Sequence, residues 1–268
     1  MCPYRVDAMR SGCLNPLANR PGLWAGGKYG MTDVRVLSFI LMACVMAGCF
    51  VPNETRAEAE YVKSDGVLPI AEFYRSVACG GADPAACGAE IVRWPAAARD
   101  GLTVGIAQID AAVPPMIRSR VIKTLGAAIA EINQSGAQVT LAQVNGRAAR
   151  RAHIQIFLVA PDRRGRITTA RSALLRGQIL SSALVRMRHR GPDIQSAHVA
   201  IAADIDPDAI ASVMLEELVQ SLGLMTDILN PHYRHQSVFA EDCDCTDRLA
   251  GQDLAALRMH YPKDISRR

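Results

Sequence analysis

Glu216 and Glu217 stand side by side, with the amide of Gln220 one helical turn beyond the first, Gly223 three residues further on and Asp227 four residues after that. On a helix, Glu216 and Gln220 share a face while Glu217 points about 100° away, so all three can border one cleft. Two adjacent carboxylates and an amide suit two kinds of chemistry. One glutamate can take a proton from an attacking water, or the set can ligate a hard cation through oxygen. Buried without an ion, each unpaired carboxylate is costly, and it needs an arginine, backbone N–H donors or a proton.

The spacing follows that of the zinc-peptidase motif H-E-x-x-H, in which two histidines one turn apart hold the metal and the intervening Glu polarises water. Superimposed on it, Glu216 takes the first ligand position, Glu217 the general base, Gln220 the second ligand, Gly223 the bend and Thr226 the third ligand. The base and the glycine remain. The amide of Gln220 and the hydroxyl of Thr226 are poor zinc ligands, so neither zinc nor any other cofactor is expected and no metal site is assigned. Loop histidines His232 and His235 follow closely and read as solvent-exposed.

Glu216-Glu217-x-x-Gln220-x-Leu222-Gly223-Leu224 and Asp227 resemble the E-E-x-x-Q-x-L-G-L-x-N-D signature of an uncharacterised family of exported bacterial proteins, related in fold to zinc metallopeptidases. Thr226 stands where that family usually has Asn. The resemblance extends from about residue 70 to the Leu257-Arg258-Met259-His260-Tyr261-Pro262 ending. It implies an α+β, zincin-like fold: a small mixed sheet with a long packing helix, a central motif helix and a C-terminal helix. It supplies no activity.

The elements that must position the motif are legible in the apolar spacing. Leu68–Val77 reads as a short helix behind Pro69, and Leu102–Ile106 as a half-buried strand. Val121, Leu125, Ile129 and Ile132 make one stripe on a helix from Met116 to Gln134. Val139–Val144, His153–Val159 and His198–Ala202 read as strands. Asp206 is expected as N-cap and Pro207 as first residue of the motif helix, which should run to Gly223. A final helix is expected over Thr246–His260, and Trp94 reads as a core or lid residue.

Residues 1–30 look like an upstream extension or misassigned start, and residues 31–59 like a leader with a short apolar run from Val36 to Val51. Met46-Ala47-Gly48-Cys49 approximates a lipobox that would acylate Cys49, while Ala57-Glu58-Ala59 offers an ordinary cleavage site; the lipoprotein reading is preferred. Residues 60–268 then form a single domain, exported to the periplasm or held at a membrane. Its four cysteines, Cys79, Cys87, Cys243 and Cys245, favour two disulfides. Local pairing would close a very short Cys243–Cys245 ring, so cross-pairing of the two clusters stays open. A four-cysteine zinc site would lack the usual C-x2-C knuckle.

Composition excludes disorder: 50% of residues are hydrophobic and 21% charged, and the net charge of +4 names no partner by itself. Charge is nevertheless segregated. Arg147 to Arg190 is basic with the single acid Asp162, and Asp204 to Asp253 is acidic. Lacking interleaved aromatics and a phosphate loop, the basic stretch argues against nucleic acid and reads as a solvated face partly paired with the acidic half. The expected function is a non-catalytic envelope role, with the degenerate cleft binding a peptide, glycan or envelope protein. The alternatives are a divergent hydrolase using Glu217 as general base, and a structural module lying on membrane or cell wall.

Overall fold

The computed structural model describes residues 61–79 and 91–263; Cys49 with the leader, and Cys87, lie outside them. The described residues form a mixed α+β unit, as expected. Its centre is a five-stranded sheet in the order β3-β2-β4-β6-β5, built from β2 (Leu102–Ile109), β3 (Leu141–Gln143), β4 (Ile154–Val159), β5 (Ala183–Arg190) and β6 (Asp193–Ala202). The β2, β3, β4 and β6 pairings are parallel, and β5 returns antiparallel along β6 as an edge strand. A second, two-stranded parallel sheet joins β1 (Tyr61–Lys63) to β7 (Asp227–Leu229).

Four helices complete the unit: α1 (Ile70–Cys79), α2 (Pro115–Gln134), the motif helix α3 (Ile210–Gln220) and α4 (Gly251–His260). Helix α2 packs along α3, and α1 packs against α4. The stripe foreseen on α2 is the buried one, with Val121, Leu125, Ile129 and Ile132 in the core. Among the described residues no helix is long and apolar enough to cross a membrane.

The sheet is covered on both faces, which is why β4 reads as an almost unbroken apolar run. Ile154, Ile156 and Leu158 enter the main core with α2 and α3, whereas Phe157 and Val159 point into a second cluster with Ile167, Leu175 and Leu180. That second cluster is the underside of the basic stretch. Asp162 organises its turn by accepting the backbone N–H groups of Arg164 (2.8 Å) and Arg166 (2.9 Å), which lower its pKa.

Several element limits differ from expectation, and one strand was not foreseen. Asp206-Pro207-Asp208 forms a turn in which Asp206 Oδ1 accepts the Asp208 N–H, and α3 begins only at Ile210, with Ala209 as a cap lacking a side-chain bond. Helix α4 begins at Gly251 rather than Thr246, because Leu249 N–H is taken up by Glu131 of α2 at 2.9 Å instead of by a helical carbonyl. Strand β5 was read only as part of the basic stretch; Val185 and Met187 alternate with Arg186, Arg188 and Arg190, which face solvent at the sheet edge, where charge is favoured.

Gly223, the foreseen bend, has φ +108°, and a Cβ there would overlap the Val92 carbonyl and lie 2.8 Å from His260 Nε2. Backbone conformation and space both demand glycine. Gly223→Ala is expected to destabilise the domain by more than about 2 kcal/mol, read as a fall in the urea midpoint; an unchanged midpoint would contradict this packing.

Candidate functional site

Helix α3 is apolar on nearly every side, with Ile210, Val213, Met214, Leu215, Leu218 and Val219 all buried, so it runs through the core rather than over it. Burial creates a problem at its C-terminal end, where carbonyls lose their helical partners. Aromatic and imidazole donors solve it. Trp94 Nε1 donates to Ser221 O at 3.0 Å, Tyr261 O–H donates to Leu222 O at 2.6 Å, and His260 Nε2 reaches both Leu222 O and Val92 O at 3.1 Å. Tyr261 Oη in turn accepts the Trp94 N–H at 3.1 Å.

With two carbonyls at Nε2, the His260 proton sits there, and Nδ1 accepts from Tyr74 O–H at 3.2 Å; Arg93 Nη2 donates to the same Tyr74 oxygen at 2.6 Å. Burial, reinforced by Arg93, drops the His260 pKa to about 3, so the ring is neutral. None of these roles was read from the sequence. Trp94 was expected in the core, but its hydrogen-bonding function and those of Tyr74, His260 and Tyr261 had no local signal.

The motif carboxyls sit one turn earlier. Glu217 is 5% exposed, and its Oε2 is enclosed without a hydrogen-bond partner. Its pKa is raised well above the usual glutamate value by burial first, then by the charges of Asp227 and Asp244; the more distant influence of Arg186 opposes this weakly. Glu216 is half-buried and is raised in the same direction by burial, Asp227, Glu217, Asp244 and Glu241. Both carboxyls therefore hold protons above the pH at which exposed glutamates ionise.

Gln220 occupies the middle. Its Nε2 donates to Asp227 Oδ1 and Oδ2 at 3.0 and 3.2 Å and to Glu216 Oε1 at 3.3 Å. An arginine was one of the partners the sequence left open for this place, beside backbone N–H donors and a proton. Arg186 instead spends its guanidinium on Val185 O and Gln178 Oε1, and the amide of the motif's own helix spans the two acids. An NH2 group between two carboxylates does not suit a zinc ion, which needs lone pairs turned inward. Thr226, at the third-ligand position, is buried with its Oγ1 unpartnered, its backbone N–H bonded to Val77 O. Glu216, Gln220 and Asp227 are thus brought together, Glu217 lies beside them inside the core, and Gly223 turns the chain that returns Asp227.

The remaining predicted residues lie elsewhere. His232 is half-buried and stacks edge-on against Tyr233, and His235 is exposed beside Cys243. Cys243 and Cys245 are disulfide-bonded to one another, so the clusters do not cross-pair; Cys79 is disulfide-bonded too. The basic and acidic halves were expected to be partly paired, yet Arg120–Asp208 and Arg234–Asp242 draw neither arginine from the basic stretch.

Asp253 is a buried acid that sequence reasoning passed over. It accepts Ser237 O–H at 2.6 Å and Val238 N–H at 2.8 Å, tying the loop after β7 to α4, and burial raises its pKa to about 7.

Because Glu216 and Glu217 have raised pKa values in the folded state, their contribution to stability is complete below the ordinary glutamate value of 4.5 and is lost as pH rises through the folded values. The loss can reach about 1.4 kcal/mol per pH unit for each group. Glu217→Gln is expected to remove that group's share, so that the variant gains on the wild type as pH is raised above 4.5. Urea midpoints across the pH range check this, and parallel profiles would refute it.

No curated protein matches the chain significantly. One family model matches residues 85–267, from the end of the Cys79–Cys87 segment past α4. The expectation of an uncharacterised family therefore holds at that level: the chain belongs to the family described as "Protein of unknown function (DUF2927)".

Proposed function

We propose that this protein is an exported envelope protein whose zincin-like cleft has exchanged hydrolysis for binding, its ligand being a peptide, a glycan or another envelope protein. The observation that carries the reading is the Gln220 amide, which donates to Asp227 and Glu216 in the place where a peptidase would hold its metal. The zincin-like relationship draws support from the mixed five-stranded sheet, whose antiparallel edge strand β5 runs beside the motif helix, and from the glycine bend after that helix. Export draws support from the leader, and membrane anchoring from Cys49.

Glu217 is consistent with this reading. A general base must be ionised at working pH and must reach a water, whereas burial holds the Glu217 carboxyl towards its neutral form. A second reading, a divergent hydrolase using Glu217 as general base, has one observation in its favour: Glu217 is a buried carboxyl with a raised pKa and an oxygen without a hydrogen-bond partner, a combination found at functional sites. Membrane or cell-wall association through the exposed Arg163, Arg164 and Arg166 is the third.

Purified protein offered a mixed peptide substrate, with and without added zinc, is expected to show no cleavage that Glu217→Ala removes. Robust hydrolysis lost in Glu217→Ala, but kept in a remote surface variant, would overturn the proposal in favour of the hydrolase.

A further inference from the structure

We propose that His235, Cys243 and Cys245 form a binding site for a thiophilic metal ion of the zinc type in the reduced protein, and that the Cys243–Cys245 disulfide is the closed state of this site. Among the described residues, these three bring their ligand atoms within 4.8 Å of one another. His235 Nδ1 lies 3.8 Å from Cys243 Sγ. In a tetrahedral zinc site, bond lengths of about 2.3 Å to sulfur and 2.0–2.1 Å to nitrogen place neighbouring ligand atoms roughly 3.6–3.8 Å apart. One imidazole and two thiolates are a common zinc donor set, with the fourth position left to water or a nearby carboxylate.

Contacts other than the disulfide also hold the segments that carry the donors. Arg234 and Asp242 form an ion pair at 3.6 Å, and these residues immediately precede His235 and Cys243. Cys243 N–H is bonded to Ala240 O at 3.2 Å, and Asp244 O accepts Ser212 O–H of α3 at 2.7 Å. The backbone at Cys243 and at Asp244, between the two cysteines, is therefore held by bonds other than the sulfur bond. Access is also available: His235 and Cys245 are exposed and Cys243 is half-buried. Asp242, Asp244 and Asp247 add negative charge around the donors, which favours a cation.

Opening the site takes two electrons and two protons from a dithiol reductant, which leaves as its own disulfide, while Cys243 and Cys245 become thiols. An arriving ion displaces both thiol protons to solvent and takes two thiolates and the neutral His235 ring. A disulfide oxidant that takes the two electrons and leaves as its dithiol re-forms the Cys243–Cys245 bond and frees the ion, so metal and disulfide exclude one another. The site shares no residue with the Glu216–Gln220–Asp227 group and does not rest on the function proposed for it.

The test reduces the full chain with a phosphine, removes the phosphine without air, and titrates zinc against a chromophoric chelator. The reduced wild type is expected to bind about one equivalent more than the oxidised protein and than a reduced Cys243→Ser/Cys245→Ser variant, with two thiolates and one nitrogen as donors. His235→Ala should weaken that equivalent at least tenfold. Cobalt substitution should give thiolate-to-metal charge-transfer absorption in the wild type and lose it in the double variant. Equal zinc uptake by the reduced wild type and the double variant would place any bound metal on groups other than Cys243 and Cys245 and overturn the proposal, as would undiminished affinity in His235→Ala.

Discussion

The structure depends on how the buried end of α3 is closed. A helix that runs through a core must have its last carbonyls satisfied there, because an unmet buried acceptor costs about 1–3 kcal/mol. Ser221 O and Leu222 O are met by Trp94, Tyr261 and His260, side chains drawn from a segment more than a hundred residues earlier and from the last turn of the final helix. The same donors bind Val92 and Trp94 backbone, and Tyr74 and Arg93 support them from α1 and the strand approach. The Val92–Trp94 segment and the end of α4 are thereby fastened to the motif helix, and the Val92 carbonyl and His260 ring leave no room for a Cβ at position 223.

This closure explains the state of the motif acids. A helix fixed on both sides cannot rotate Glu217 out to water, so the carboxyl resides in the interior and burial dominates its protonation. Gly223 returns the chain directly into β7, whose first residue, Asp227, lands against the Gln220 amide. Three groups that would compete for one ion thus share hydrogens instead. An amide that donates to both acids is a cheaper arrangement in a dry site than uncompensated charges.

How far the sequence disclosed this differs by element. Helix α2 and strand β2 were legible because their apolar residues recur with a clear period, and β4 because its apolar run is almost unbroken. The motif residues were found through their types and spacing, and the helix and the bend stand where those placed them. Strand β5 was hidden, because an edge strand bearing Arg186, Arg188 and Arg190 looks like a charged loop until its partner β6 is known. Asp206 looked like a helix cap because an Asp-Pro start is locally favourable; the turn it forms uses the same side-chain oxygen one step earlier.

By itself, the sequence determined the class of fold, the helix that carries the acids and the need for glycine at its end, because periodicity, helix spacing and backbone freedom are local properties. Tertiary structure alone decided what those acids face. Whether a carboxyl meets an arginine, an amide or nothing depends on residues far away in the chain, and here Gln220 reached Asp227 while Arg186 turned to Gln178. The pairing of Cys243 with Cys245, and the approach of His235 to both, were likewise decided by the fold of one loop, held by Arg234, Asp242 and Ser212, which no spacing rule contains.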